Sequence, residues 1–224
     1  MKQMIIAHRG ASHYEIENTI GAVKKAIEMN SDMIEVDVRI TKDNEIILMH
    51  DPDVERTTNG KGYVKDMTLN QIKRLKINGK DTIPTLQEVI NIIKGKCRLN
   101  IEIKDHRAVI KILKILKEND LHSEVLISSF NEKTLKYIKE KDARIKTGYL
   151  FRRPTPFYIS VAKKIKADYL HPYYPIITKR LVNRAHRYGF KVNVWTIKNR
   201  ESALKAKQIG VDGLITDDPL LYKD

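Results

Sequence analysis

Short apolar segments alternate with segments of helical periodicity along nearly the whole chain, and this alternation limits the possible folds more than any other feature. Strands and helices that alternate in this way are typical of a parallel β-sheet covered by helices. Eight such strands favour a closed α/β barrel of the TIM (β/α)8 type over an open, doubly wound sheet. The predicted strands are 4–8, 33–40, 99–104, 125–130, 146–151, 168–173, 190–196 and 211–216, and the predicted helices are 18–29, 85–94, 108–118, 131–141, 157–166, 178–188 and 200–209.

The second predicted strand is followed by a β-hairpin instead of a helix, because too few residues separate Asp37 from His50. A two-residue turn at Asp43-Asn44, residues that tolerate positive φ, would place Asp37 opposite His50. Residues 51–84 then predict a small insertion over one end of the barrel. Since no linker interrupts the pattern elsewhere, residues 1–224 are predicted to form a single domain.

The net charge of +14 favours anionic partners such as nucleic acid, a membrane surface or phosphate-bearing small molecules. The lysines are spread along amphipathic segments, as at Lys111, Lys114 and Lys117, which indicates a diffusely basic surface. A single cysteine, Cys97, excludes an internal disulfide and a cysteine-rich metal site. Because no apolar run approaches about 18 residues and no signal peptide is visible, we predict no transmembrane segment and a cytoplasmic location.

Polar side chains share the inner face of three predicted strands, near the carboxyl ends where barrel active sites form. Alternate residues of a strand point the same way. The inward pairs are Glu35 and Asp37, Glu102 and Lys104, and Asn193 and Trp195. The three buried carboxylates Glu35, Asp37 and Glu102 are costly unless a cation neutralises them. This all-oxygen set fits a hard divalent cation, Mg²⁺ or Ca²⁺, and the alternative is salt bridges to Arg9 or Lys104.

Three of the seven histidines end apolar runs of strand character: His8, His50 and His171. His8 stands beside Arg9, and the hairpin would return His50 to the carboxylates, so this pair is predicted to do acid–base chemistry. The guanidinium of Arg9 is a planar donor fork suited to phosphate, and Lys104 would add a second positive contact.

Seven short motifs, in order from the first predicted strand to the last, resemble those of the glycerophosphodiester phosphodiesterase family. They are AHRG at 7–10, ENT at 17–19, EVDV at 35–38, MHDP at 49–52, IEIK at 101–104, VNVWT at 192–196 and DGLITDDP at 212–219. The resemblance implies a TIM barrel with a small insertion after the His-Asp element. It also implies metal-dependent hydrolysis of glycerophosphodiesters to sn-glycerol 3-phosphate and an alcohol.

The resemblance implies roles for individual residues as well. His8 and His50 match the family's two catalytic histidines, and we assign His8 as the base and His50 as the acid. Arg9 matches the phosphate-binding arginine, and Lys104 matches a basic residue that faces the substrate. Ile16 stands where the family usually has proline, which bears on the rigidity of that loop. The remaining matches are the metal ligands Glu35, Asp37 and Glu102, and the acid–amide pair Glu17 and Asn18 that supports the substrate site.

Two alternative functions stay open at this stage. A lysophospholipase D or another phosphodiesterase on the same barrel would need a wider apolar groove, for which Trp195, Phe130, Phe151 and Tyr173 are the candidate lining residues. A basic nucleic-acid-binding protein would show clustered cations with exposed aromatic residues, which the sequence lacks. We therefore expect a small-molecule glycerophosphodiester substrate and no specific nucleic-acid partner, while the sequence gives no oligomeric state.

Overall fold

The computed structural model describes residues 3–153 and 156–221, and one nine-stranded sheet forms the centre of this part of the chain. Eight strands are parallel and follow one another around a ring that closes where the first strand pairs with the second. The predicted TIM barrel is therefore confirmed. The strands are β1 (Met4–Ala7), β2 (Met33–Ile40), β3 (Ile46–Leu48), β4 (Arg98–Ile103), β5 (Val125–Ser129), β6 (Lys146–Phe151), β7 (Tyr169–Pro172), β8 (Lys191–Ile197) and β9 (Gly213–Thr216).

The seven predicted helices are all present, and an eighth, short helix lies in the insertion. The helices are α1 (Ile20–Glu28), α2 (Leu69–Arg74), α3 (Leu86–Ile93), α4 (Val109–Glu118), α5 (Glu132–Lys141), α6 (Tyr158–Lys164), α7 (Lys179–Arg187) and α8 (Arg200–Ile209). Six of them begin behind a threonine or asparagine whose side chain accepts a hydrogen bond from a backbone N–H of the first turn. Such caps satisfy donors that have no partner inside the helix.

The main apolar core lies between the ring of strands and the surrounding helices. Val36 of β2 and Ile101 of β4 belong to the same buried cluster as Val23, Val89 and Ile112 of the helices. Because alternate residues of a strand face opposite sides of the sheet, the intervening residues of β2 and β4 point into the barrel. This arrangement places the polar side chains of both strands inside the ring.

A polar layer fills the barrel interior below the carboxyl ends of the strands. His171 of β7 and Asn193 of β8 are fully buried there, and the adjacent inward positions on β6 and β9 are Gly148 and Gly213. A β-carbon at Gly148 would lie 2.7 Å from Nε2 of His171, so only glycine leaves room for the ring. Burial lowers the pKa of His171 to about 3, which keeps its imidazole neutral. His171 is therefore part of the interior packing.

The hairpin between β2 and β3 exists, but the predicted register was wrong by one residue. Val38 lies opposite Leu48 and Ile40 opposite Ile46, and the backbone N–H of Met49 donates to the carbonyl of Asp37. The loop has three residues, 42–44, and it ends at Asn44 with φ of 62°. A three-residue loop with its last residue in the left-handed region is a common hairpin connection. His50 thus lies one residue beyond the position opposite Asp37.

The insertion after β3 packs around a small apolar cluster of its own. Its buried members are Ile47, Met49, Val54, Val64, Ile72, Ile77 and Ile83, and they form a group separate from the main core. Helix α2 and a single 3₁₀ turn, Val64–Asp66, are the regular elements of the segment. Among residues 3–153 and 156–221, the helices are all too short or too polar to cross a membrane.

Candidate active site

Three carboxylates meet inside the barrel mouth, on two adjacent strands. Asp37 of β2 pairs in register with Glu102 of β4, and Glu35 precedes Asp37 by two residues on the same face. One carboxylate oxygen from each of the three residues lies within 4.8 Å of the other two, and all three side chains are buried. The alternation within each strand and the parallel register together produce this cluster, which was predicted from the sequence.

Two cations pair with the carboxylates. Lys104 Nζ lies 2.9 Å from Asp37 Oδ1 and also contacts Glu102, and Arg9 Nε lies 3.1 Å from Asp37 Oδ2. Burial acts to raise the pKa of Asp37, but the charges of Lys104 and Arg9 outweigh it and hold that pKa well below its usual range. Burial and the charge of Asp37 raise the pKa of Glu35 to about 8. The salt bridges proposed as the alternative to a metal are therefore present.

The cluster also fits a metal ion. Glu35 Oε2 accepts a hydrogen bond of 2.8 Å from the backbone N–H of Arg9, whereas Glu35 Oε1 is buried and has no hydrogen-bond partner among the residues that the structure describes. A buried oxygen without a partner is costly. Carboxylate oxygens are the ligands that Mg²⁺ and Ca²⁺ prefer, so Glu35, Asp37 and Glu102 are a chemically suitable set for either ion.

Each of the two predicted catalytic histidines is hydrogen-bonded to a carboxylate. His8 Nδ1 lies 2.6 Å from Asp217 Oδ1, and His50 Nδ1 lies 2.7 Å from Asp51 Oδ1. Burial acts to lower the pKa of His8, but the hydrogen bond to Asp217 and the charges of Glu35 and Asp217 together outweigh it, so the pKa is raised. Burial lowers the pKa of the half-buried His50. In both rings the contact through Nδ1 leaves Nε2 as the nitrogen available for proton transfer.

The loop after β1 holds Arg9 and the acid–amide pair against the carboxylates. Arg9 Nη1 donates to Glu17 Oε1 at 2.9 Å. Asn18 binds Asp37 twice, since its Nδ2 donates to Asp37 Oδ2 at 2.9 Å and its Oδ1 accepts from the backbone N–H of Asp37 at 3.0 Å. Gly10 follows with φ of +83°, and a β-carbon there would lie 2.6 Å from the backbone of Ala22. Glycine is therefore required for this close approach.

Arg56 of the insertion is a site residue that the sequence analysis missed. Its Nη1 and Nη2 donate to the two oxygens of Glu17 at 3.0 and 2.7 Å, and its Nε contacts Asp51. The guanidinium of Arg56 therefore links Glu17, which binds Arg9, to Asp51, which binds His50. Asp51 and Asp217 were also missed as partners, although both lie inside motifs that carry the family resemblance.

Aromatic residues surround Trp195 of β8 at the barrel mouth. Trp195 Nε1 donates to the carbonyl of His171 at 2.7 Å, and the side chain is only 9% exposed. Phe130 and Tyr173 flank its ring at centroid distances of 5.5 and 5.1 Å.

Phe151, predicted as a possible groove residue, lies elsewhere. It stacks between Tyr149 and Tyr158 at 5.6 Å from each, in the outer core between strands and helices. The prediction was wrong because Phe151 is an outward position of β6.

An open cleft and a small buried cavity border the residues of the site. A cleft of about 480 Å³ is lined by His8, Arg9, Glu17 and Asp217 among others. A small cavity of about 10 Å³ lies beneath and is lined by Glu35, Glu102 and Trp195 together with His8. His8 thus borders both spaces, at the boundary between the open cleft and the buried carboxylates.

A closed parallel barrel with two carboxylate-bound histidines, an acidic cluster and two cations at its mouth defines a hydrolase suited to an anionic ester. The model of the glycerophosphoryl diester phosphodiesterase family matches residues 8–221. A glycerophosphodiester phosphodiesterase of Caldanaerobacter subterraneus is 40% identical over 232 residues, with 98% of this chain and 96% of the relative covered. The chain belongs to the glycerophosphodiester phosphodiesterase family, and it is an enzyme with that activity.

Solved structures show the same similarity. A phosphodiesterase of Oleispira antarctica, in complex with the product sn-glycerol-3-phosphate, has a TM-score of 0.91 at 28% identity, covering 96% of this chain and 93% of that one. A glycerophosphodiester phosphodiesterase of Thermotoga maritima has a TM-score of 0.85 at 29% identity, covering 99% and 97%. The fold is therefore shared over nearly the full length of these proteins.

Proposed function

We propose that this enzyme hydrolyses glycerophosphodiesters to sn-glycerol 3-phosphate and an alcohol by acid–base catalysis, with Mg²⁺ or Ca²⁺ held by Glu35, Asp37 and Glu102. The observation that carries the proposal is the buried carboxylate cluster with His8 at its edge. The product bound to the Oleispira antarctica phosphodiesterase supports the same chemistry for this chain. We also propose that residues 1–224 act as one domain, with residues 51–84 as an insertion.

A divalent cation in the carboxylate cluster would supply positive charge to the phosphoryl oxygens of the substrate. Arg9 and Lys104 would bind the phosphate from the protein side and stabilise the charge that develops on it. Glu17 and Asn18 keep Arg9 and Asp37 in place through the contacts described above. Trp195 borders the same cavity and would contact the substrate beside the phosphate.

The two histidines would move the protons. One removes a proton from the nucleophile, which is either water or the substrate's own 2-hydroxyl, and the other protonates the oxygen of the leaving alcohol. The sequence-based order, His8 as base and His50 as acid, stays a prediction.

Alternative functions receive less support. The face of Trp195 that a lysophospholipase D would offer to an acyl chain is covered by the guanidinium of Arg152, at 5.1 Å from the ring. The absence of a specific nucleic-acid partner and the cytoplasmic location both stay predictions.

A release assay over several glycerophosphodiesters tests the proposed function. With Mg²⁺ or Ca²⁺ present, we expect sn-glycerol 3-phosphate as the product, measured by coupled oxidation of glycerol 3-phosphate. Phosphorus NMR of the same reactions would show whether a cyclic phosphate precedes it, as expected if the substrate's own 2-hydroxyl attacks. Turnover of lysophospholipid with none of glycerophosphodiesters would contradict the proposal.

Arg56→Gln should lower kcat by roughly 10–100-fold, with a smaller effect on KM, because the change releases Glu17 and Asp51 from one shared partner. The exposed ion pairs of Arg56 contribute only about 0–1 kcal/mol to stability, so the melting temperature should hardly change. Arg74→Gln is the matched control, since Arg74 is exposed in the same insertion and forms no ion pair within the described residues. Equal kcat values for the two variants would contradict a positioning role for Arg56.

A further inference from the structure

A cation that the proposed mechanism does not use lies over the mouth of the barrel. Arg152 follows the last residue of β6, and its guanidinium carbon lies 5.1 Å from the ring centroid of Trp195 and 5.6 Å from that of Phe130. The two rings meet edge to face at 5.5 Å. Contact with two aromatic rings is favourable for a guanidinium and limits where it can lie.

The donors of Arg152 have no carboxylate to bind. Within residues 3–153 and 156–221, Arg152 forms no ion pair, and its side chain is exposed. Arg9, Arg56, Arg107 and Arg144 differ in this respect, since each lies against an aspartate or glutamate. The guanidinium of Arg152 is therefore positioned by the two aromatic rings, and the side chain is exposed at the entrance of the site.

The position of Arg152 relates it to the substrate. Trp195, which the guanidinium covers, lines the same small cavity as Glu35, Glu102 and His8. Arg152 is thus one aromatic ring away from the carboxylate cluster, across the mouth from Arg9. A group on the substrate that reaches Arg152 lies beyond the phosphate that is cleaved.

The chemistry of the substrate then identifies that group. The inference rests on the proposed function, in which one product is sn-glycerol 3-phosphate. This product carries no charge besides its phosphate, so a second negative charge within the same diester belongs to the alcohol half. We propose that Arg152 forms an anion subsite that binds a carboxylate or phosphate on the alcohol half of the glycerophosphodiester. A planar guanidinium binds either oxyanion through two parallel hydrogen bonds.

Matched pairs of substrates test the subsite. Glycerophosphoserine and glycerophosphoethanolamine differ only by one carboxylate, and glycerophosphoglycerol with and without a terminal phosphate differ only by that phosphate. We expect kcat/KM to be about tenfold higher, or more, for the anionic member of at least one pair, and the pair that responds identifies the oxyanion. Arg152→Met keeps a long side chain over the rings and should bring the ratio of the two kcat/KM values to near one, chiefly by slowing the member with the additional anionic group. Arg152→Lys should give an intermediate ratio.

Arg153→Met is the control, because it removes the same net charge one residue away and should preserve the ratio. A ratio near one in the wild-type enzyme for both pairs would overturn the subsite while leaving the proposed function intact. If Arg152 only covers Trp195, Arg152→Met should slow both members of each pair equally. That result would also overturn the subsite. If none of the four diesters is hydrolysed, the proposed function falls, and the subsite falls with it.

Discussion

Replacing His8 or His50 with alanine should lower kcat by roughly 10²–10⁴-fold, which is the usual effect of removing a positioned acid or base. The proposed roles require both rings, because one proton leaves the nucleophile and another reaches the leaving oxygen. Each ring is already oriented by an aspartate, Asp217 or Asp51, so its loss removes a group that is held ready for proton transfer. Steady-state kinetics with saturating metal and substrate measures the effect.

His186→Ala serves as the control for both variants. His186 binds Asp212 at 2.8 Å, just before β9 and therefore at the amino end of the barrel strands, away from the mouth. Its replacement should leave kcat unchanged. Circular dichroism and thermal unfolding show whether the three variants stay folded. A folded His8 or His50 variant with near-normal kcat would mean that this histidine is structural.

Removing divalent cations should abolish turnover, and adding Mg²⁺ or Ca²⁺ should restore it. The reason is that a cation held by Glu35, Asp37 and Glu102 would supply the positive charge that stabilises the phosphoryl oxygens during the reaction. Titration calorimetry of the metal into the protein should show one site, and Glu35→Gln should weaken that binding because one charged ligand is lost.

The protein should remain folded in chelator, since Lys104 and Arg9 lie against the carboxylates. If the protein stays folded in chelator, the loss of activity is due to the loss of the metal and not to unfolding. Full activity in excess chelator, with elemental analysis showing no bound metal, would refute the metal requirement.

The barrel and the carboxylate cluster were predictable because both follow from local periodicity. Strand–helix alternation gave the fold, and the two-residue period of β2 and β4 placed Glu35, Asp37 and Glu102 on one face. The same rule applied to β6 would have turned Phe151 outward. The hairpin register failed for a different reason, since it depended on whether the loop that ends at Asn44 held two or three residues.

The periodicity of single elements does not predict the contacts of Arg56 and Asp217. Arg56 meets Glu17 across 39 positions of the chain, and His8 meets Asp217 across 209. Periodicity within an element does not predict which loops converge at a barrel mouth, because that depends on the three-dimensional path of every connection. Ion pairs of this kind therefore required the structure.

The separate apolar cluster of the insertion has a consequence for how this enzyme responds to heat. A segment with its own small core can open as an independent cooperative unit at a lower free energy than global unfolding. Opening would withdraw Arg56 from Glu17 while the barrel stays intact. The fraction of active enzyme then depends on the equilibrium between the closed and the open insertion. Activity would be lost at temperatures where most of the secondary structure persists.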